Sequence, residues 1–447
     1  MENNNIDIGW KKKNEVNSLS ESYASVKYAK NASFIKKLFA FAGPGLMISV
    51  GYMDPGNWAT DIAGGSAFGY TLLSVIMISN FFAMLLQHLS LKLGIVSGRD
   101  LAQACRDHYS RPVSLMLWFL CEIAIAACDL AEVLGSAIAL NLLFKIPLQI
   151  GVLITVLDVF IILYFQNKGF RILESIVASL ILIILISFGY EIAVSNPNFS
   201  EIMKGLVPQT SIVTNPNMLY IAIGILGATV MPHNLYLHSS IVQTREIENT
   251  FEGKKTAIKF ATIDSTLSLF IAFFINASIL ILAAASFHFS NNTNVADINE
   301  AYKLLDPILG VKYAGMFFGI ALLAAGINST LTGTIAGQIV MEGFLNIRLK
   351  PWLRRLVTRL IAIIPAVIVT FTYGEKGVGT LLVLSQVILS MQLSFAIVPL
   401  VLFTSDKLKM GSFVNKSYIK YLAWLITGII ISLNLYLLFQ TAMIWIK

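Results

Sequence analysis

Asp54-Pro55-Gly56-Asn57 and Met231-Pro232-His233-Asn234 each stand in the middle of a long apolar run. Each quartet holds a proline and an asparagine two places later. A proline inside a helix removes a backbone hydrogen bond and clashes with the preceding turn. Gly56 weakens the first run further. Both helices are therefore expected to break near the midplane of a membrane. Counted along the chain, they are the first and the sixth apolar segments, so they hold equivalent places in two halves of five helices. Five is odd, so the second half enters with the opposite orientation. Paired broken helices in an inverted repeat point to the binding site of a transporter.

The rest of the chain agrees with a membrane setting. Of 447 residues, 56% are hydrophobic and 13% charged, against about 25% charged in soluble domains. Eleven segments approach the length that crosses a bilayer: 40–66, 71–94, 113–141, 148–166, 173–194, 217–245, 257–286, 311–336, 356–373, 379–403 and 420–445. The net charge of +7 is spread over short connecting segments and forms no stripe suited to nucleic acid. With the N-terminus inside, 26 Lys and Arg residues fall on the cytoplasmic side and 6 outside, which puts the C-terminus outside. Residues 1–37 are polar, lack a signal-peptide core and read as a disordered cytoplasmic tail. The expected organisation is this tail, a first five-helix repeat over 38–194, an inverted repeat over 195–403, and a loop with an eleventh helix over 404–447. Cys105, Cys121 and Cys128 have no metal-finger spacing and read as packing residues.

Around the two breaks stand unlike donors. Asp54 offers a hard anionic oxygen, Asn57 a neutral one, Met231 a soft thioether, and unwound backbone adds carbonyls. Met in an apolar span is usually packing, and Asp54 alone could be a helix cap. A carboxylate at membrane depth is costly, however, and marks function by default. Calcium and magnesium prefer oxygen alone, so a thioether in the set favours a transition metal. The third segment adds Glu122, Asp129 and Glu132 on one helix face, over about 15 Å. Such acidic faces in membrane helices mark proton relays, although a static ion-pair network is the alternative. His233, directly after Pro232, reads either as a satisfied core histidine or as a proton-linked group.

The two quartets resemble the paired signatures of the Nramp family of divalent metal transporters. Gly337-Gln338-Ile339-Val340-Met341-Glu342-Gly343-Phe344, the stretch Lys92 to Ala102, Ser385-Gln386-Val387 and Gln392-Leu393 are similar to other segments of that family. The likeness covers roughly residues 38–440. It implies an all-α membrane protein of eleven transmembrane helices with a LeuT-like fold, in which helices 1 and 6 are broken. It implies that Asp54, Asn57, Met231 and the carbonyl of Ala228 bind the metal, with Gln386 joining in some conformations. Relatives that carry magnesium lack the methionine, and Met231 is present. The family moves Mn²⁺, Fe²⁺ and related ions with protons. That implies a proton path from Asp54 and His233 along Glu122, Asp129 and Glu132, with partners among Arg354, Arg355 and Arg359 of the ninth helix.

The expected function is therefore a secondary transporter of the plasma membrane. It would import divalent transition metals with protons by alternating access, Mn²⁺ first and Fe²⁺, Co²⁺ and Cd²⁺ besides. The metal is cargo, and no cofactor, nucleic acid or obligate protein partner is expected beside the lipid bilayer. A sodium-coupled amino-acid carrier of the same fold would need small neutral residues at the breaks, which Asp54 and Met231 are not. A channel would show no saturable, proton-linked flux. An intramembrane zinc protease would need His-Glu-x-x-His, and the sequence has none.

Overall fold

In a computed structural model, residues 9–13, 16–27, 33–157, 169–290, 295, 297–310, 313–347, 350–372 and 375–446 are described. Among them the chain is all-helical. In order come α1 (Phe34–Phe41), α2 (Pro44–Val50), α3 (Pro55–Phe68), α4 (Leu73–Ser97), α5 (Leu101–His108), α6 (Arg111–Phe144) and α7 (Leu148–Ile154). Then follow α8 (Phe170–Ser195), α9 (Phe199–Gly205), α10 (Pro216–Thr229), α11 (Pro232–Ile241), α12 (Phe251–Ser286) and α13 (Ile298–Leu309). The last are α14 (Ala314–Leu345), α15 (Pro351–Thr372), α16 (Glu375–Thr404) and α17 (Ser417–Ile446).

Eight stretches are long and apolar enough to cross a membrane, counting α10 and α11 as one. The other three expected spans take different forms among the described residues. The first is split into α2 and α3, and the fourth and ninth appear as the shorter apolar pieces Leu148–Leu157 and Arg359–Thr372. Residues 158–166, the remainder of the fourth, lie outside the described residues.

Both expected breaks are present, and each proline starts a new helix. Asp54 is extended (φ −70°, ψ 166°) and its side chain accepts from the Asn57 N–H, capping α3 with Pro55 in the first turn. Met231 is likewise extended (φ −72°, ψ 127°) ahead of Pro232, as a residue before proline must be. The interruption thus covers Gly51–Asp54 in one case and Val230–Met231 in the other. Around the breaks, α12 lies along α2, α3 and α4, while α6 packs against α14 and α16. Small side chains make the α6–α14 approach close: a Cβ on Gly333 would stand 2.7 Å from the Glu132 carboxylate. Helices in lipid associate through such small residues.

The described residues of the N-terminal tail depart from the expectation of disorder. Ser18 donates to Asp100 at 2.5 Å and lies 2.6 Å from the Ser240 hydroxyl. Gln103 donates to the Val16 carbonyl at 2.9 Å, and Val26 forms a bridge to Arg245. Trp10 is buried against Phe403 and lies under the Arg99 guanidinium at 4.9 Å. Its polar composition hid these contacts, because the tail docks mainly through backbone groups, hydroxyls and one tryptophan instead of an apolar face.

Candidate metal site

Asp54, Asn57, Ala228, Met231 and Gln386 are all buried to within 1% of full enclosure. The first two come from the start of α3, the next two from the end of α10 and the gap after it, and Gln386 from the middle of α16. The breaks meet directly, since the Asn234 amide donates to the Ile48 carbonyl at 3.5 Å. Gln386 sits against the first break so tightly that a Cβ on Gly56 would fall 1.8 Å from its amide nitrogen. Only glycine permits that approach.

The donors left over in this pocket are acceptors. Asp54 Oδ1 accepts from the Asn57 N–H at 2.8 Å, which orients the carboxylate. Asn57 Oδ1 and Gln386 Oε1 are buried without a hydrogen-bond partner. Buried polar atoms are ordinarily satisfied, and two orphaned amide oxygens beside a carboxylate suit a cation. The Ala228 carbonyl adds a third: its helical donor would be the N–H of residue 232, which is a proline. Other carbonyls of the unwound backbone are already engaged. Asn276 donates to Tyr52 O at 2.7 Å, and Trp58 Nε1 to Met53 O at 3.2 Å. Met231 shares an apolar cluster with Cys128 and Leu389, which gives the pocket one soft wall. Among the described residues no three of His, Cys, Asp or Glu gather into a metal cage. The set is mixed oxygen and sulfur, as a transition-metal cargo tolerates.

Asp129 and Glu132 lie fully buried on α6. Glu132 accepts from Ser329 at 3.0 Å and pairs with Arg359 at 3.4 Å, itself wholly buried. Arg359 also reaches the Asp129 carbonyl at 3.5 Å and the Thr330 hydroxyl at 3.2 Å. Glu122 is only half-buried and accepts from Trp118 at 3.0 Å. Between the metal donors and these acids stands the Cys128 thiol, 4.0 Å from Asp54 Oδ2, 3.8 Å from His233 Nε2 and 3.7 Å from Glu132 Oε1.

The profile of natural resistance-associated macrophage protein-like (Nramp) sequences matches residues 45–440. The chain belongs to the Nramp family. It is 64% identical over 432 residues to the divalent metal cation transporter MntH of Listeria welshimeri, covering 97% of this chain and 96% of that protein. The crystal structure of the Eremococcus coleocola manganese transporter, in complex with an aromatic bis-isothiourea substituted compound, matches with a TM-score of 0.88 at 43% identity. That match covers 94% of this chain and 90% of the other. Mhp1, a nucleobase-cation-symport-1 family transporter, matches with a TM-score of 0.61 at 16% identity over 95% of both chains, which shows the LeuT-like fold alone.

In this Nramp chain the five expected metal residues converge in one buried pocket, and His233 joins them through Cys128. Of the three candidate arginines, Arg359 meets the acids; the side chains of Arg354 and Arg355 lie outside those described. Two groups escaped the sequence reading. Cys128, read as packing, lies at the junction of carboxylates and imidazole; its place four residues before Glu132, on the same helix face, was the available signal. Glu191 of α8 is fully buried with neither carboxylate oxygen hydrogen-bonded. It stood out in its apolar run without a motif to give it meaning. Asp264 of α12 accepts from the Gly43 and Gly45 N–H groups at 3.3 and 2.6 Å and so caps α2.

Proposed function

We propose that this chain is a proton-coupled carrier that imports divalent transition-metal ions, Mn²⁺ foremost and Fe²⁺, Co²⁺ and Cd²⁺ besides, by alternating access. One observation carries the reading: a carboxylate, two orphaned amide oxygens, a proline-freed carbonyl and a thioether converge from two broken helices and α16 in a fully buried pocket. A closed pocket suits a carrier better than an open pore, because an ion held there must wait for the protein to move. In this reading Asp54, Asn57, Met231, the Ala228 carbonyl and Gln386 hold the ion. Asp54, His233, Asp129 and Glu132 pass protons, Arg359 steadies the last of these, and Glu122 lies further along the same helix. Names of relatives support the cargo: one is a divalent metal cation transporter and another a manganese transporter.

The same reading places the chain in the plasma membrane with eleven spans, repeats over 38–194 and 195–403, an N-terminus inside and a C-terminus outside. A membrane potential negative inside then drives uptake, at about 2.3 kcal/mol per charge per 100 mV. The test is the purified chain in liposomes loaded with a metal dye and a pH dye. Wild type is expected to admit Mn²⁺ and acidify the lumen, and Asp54→Ala to do neither while keeping its helical content. Mn²⁺ affinity of Asp54→Ala equal to wild type in a calorimetric titration would overturn the assignment of the site.

A further inference from the structure

We propose that a trough between α6, α16 and α17, away from the metal pocket, binds one anionic phospholipid. The trough has two compartments. The deeper one encloses about 490 Å³ and is lined by apolar side chains that include Leu117, Phe395, Val398, Ile431 and Leu438. Its one amide, Asn434, is already satisfied: it accepts from Ser390 Oγ at 3.0 Å and donates to Ser390 O at 2.8 Å.

The second compartment, of about 430 Å³, has another chemistry. His108, Asp406, Lys409, Lys420 and Trp424 line it. Asp406 is engaged by Lys409, whereas among the described residues no acid pairs with Lys420. His108 Nδ1 is buried without a hydrogen-bond partner. One charge of each sign cancels, so the compartment keeps the positive charge of Lys420.

The two compartments lie on the same helices in the same order. Residues 391–399 of α16 line the apolar slot and 402–406 the polar one; on α17 these are 431–438 and 420–424. Tyr109 lines the slot and its neighbour His108 the polar compartment. The polar end coincides with the adjoining ends of two membrane spans, Gly377–Thr404 and Ser417–Phe439. Exposed Tyr418 and Tyr421 stand there with Trp424, as aromatic residues do at the lipid headgroup level. From Pro399 to Met391 the slot runs about 12 Å at 1.5 Å per residue, most of one leaflet of a hydrocarbon core of about 30 Å. A slot that reaches through most of one leaflet, beside an unpaired lysine at headgroup level, fits the upper part of an acyl chain with its phosphate at Lys420.

Native mass spectrometry of the full chain, delipidated in detergent and titrated with phosphatidylglycerol or phosphatidylcholine, tests this. Wild type is expected to retain one phosphatidylglycerol in preference to phosphatidylcholine. Lys420→Glu, at an exposed position, should weaken phosphatidylglycerol at least about fivefold and leave phosphatidylcholine unchanged. Val398→Trp, which fills the slot, should lose both, with Mn²⁺ affinity as its check on folding. Equal retention of the two lipids, indifference to Lys420→Glu, or a lipid-free dimer seated on this face would each overturn the proposal.

Discussion

At the scale of single residues, Met231 and Glu132 make separable contributions. Met231 is fully buried, so Met231→Ala leaves a cavity and is expected to cost about 2–5 kcal/mol of stability. Its effect on selectivity should exceed its effect on Mn²⁺ binding. A thioether is a poor ligand for calcium, which wants six to eight oxygens; removing it lets water complete an all-oxygen shell. Mn²⁺ uptake by Met231→Ala should therefore persist and become sensitive to millimolar Ca²⁺. If Ca²⁺ inhibits neither form, Met231 only fills space. Glu132 shares no hydrogen bond with the metal donors and meets Arg359 in a buried pair. Glu132→Gln keeps an acceptor for Ser329 but removes the charge opposite Arg359, whose loss in a buried pair costs roughly 3–5 kcal/mol. Mn²⁺ affinity is expected to stay within about threefold of wild type, under 1 kcal/mol, while lumen acidification falls by an order of magnitude or more. Acidification at the wild-type rate would make this acid structural.

At the scale of elements, the two breaks were legible because each pairs a mid-span proline with an asparagine and the two recur at equivalent places. Proline alone would not have sufficed, since Pro365 and Pro399 lie inside the unbroken α15 and α16. The acidic face of α6 was legible from helical spacing. The meeting of Arg359 with these acids was not, because it depends on how α15 is rotated against α6. The docked tail was hidden for another reason: its partners are polar and scattered over Asp100, Gln103, Ser240 and Thr244. Asp100 caps α5 and, through burial, is lifted to about 6, against the bonds from Ser18 and the Gln103 N–H and the attraction of Arg106. If undocking lets water reach Asp100 and returns its carboxyl to the ordinary range, the docked state holds more protons than the free one between about pH 4 and 6. The docked tail is then most stable below that window, loses stability as pH rises through it, and is flat above. Asp100→Asn removes the charge at every pH. The ratio of tail cleavage by protease in wild type to that in Asp100→Asn cancels the protease's own pH dependence. It should rise between pH 5 and pH 7.5; a constant ratio would mean the buried charge costs the tail nothing.

At the scale of the whole molecule, a metal pocket closed on all sides requires an element that moves, and the contacts single out α2. This helix has seven residues and joins α3 through the non-helical stretch Gly51–Asp54, so it can swing without unwinding. What holds it is a clamp drawn from distant parts of the chain. Arg245, fully buried, donates to the Ala40 and Ala42 carbonyls at 3.2 and 2.8 Å and pairs with Glu174 at 2.7 Å. Arg171 donates to the Phe39, Ala40 and Ala42 carbonyls, and Asp264 receives the Gly43 and Gly45 N–H groups. The residues just before α2 and its first turn are thus fixed to α8 and α12, while its far end is a hinge. Arg245→Ala leaves Glu174 and the Ala40 and Ala42 carbonyls with Arg171 alone, so the clamp is weakened and the equilibrium should shift toward an open α2. Ser49 reports this well, because it is fully buried and its hydroxyl bonds only to Leu46 of its own helix. The three native cysteines are buried and give a low background. A maleimide should label Ser49→Cys about tenfold faster in the Arg245→Ala chain for each 1.4 kcal/mol of clamp removed, with Mn²⁺ still bound through Asp54. Unchanged labelling in a folded, metal-binding variant would show that α2 is held by its packing against α12 and that the pocket opens elsewhere.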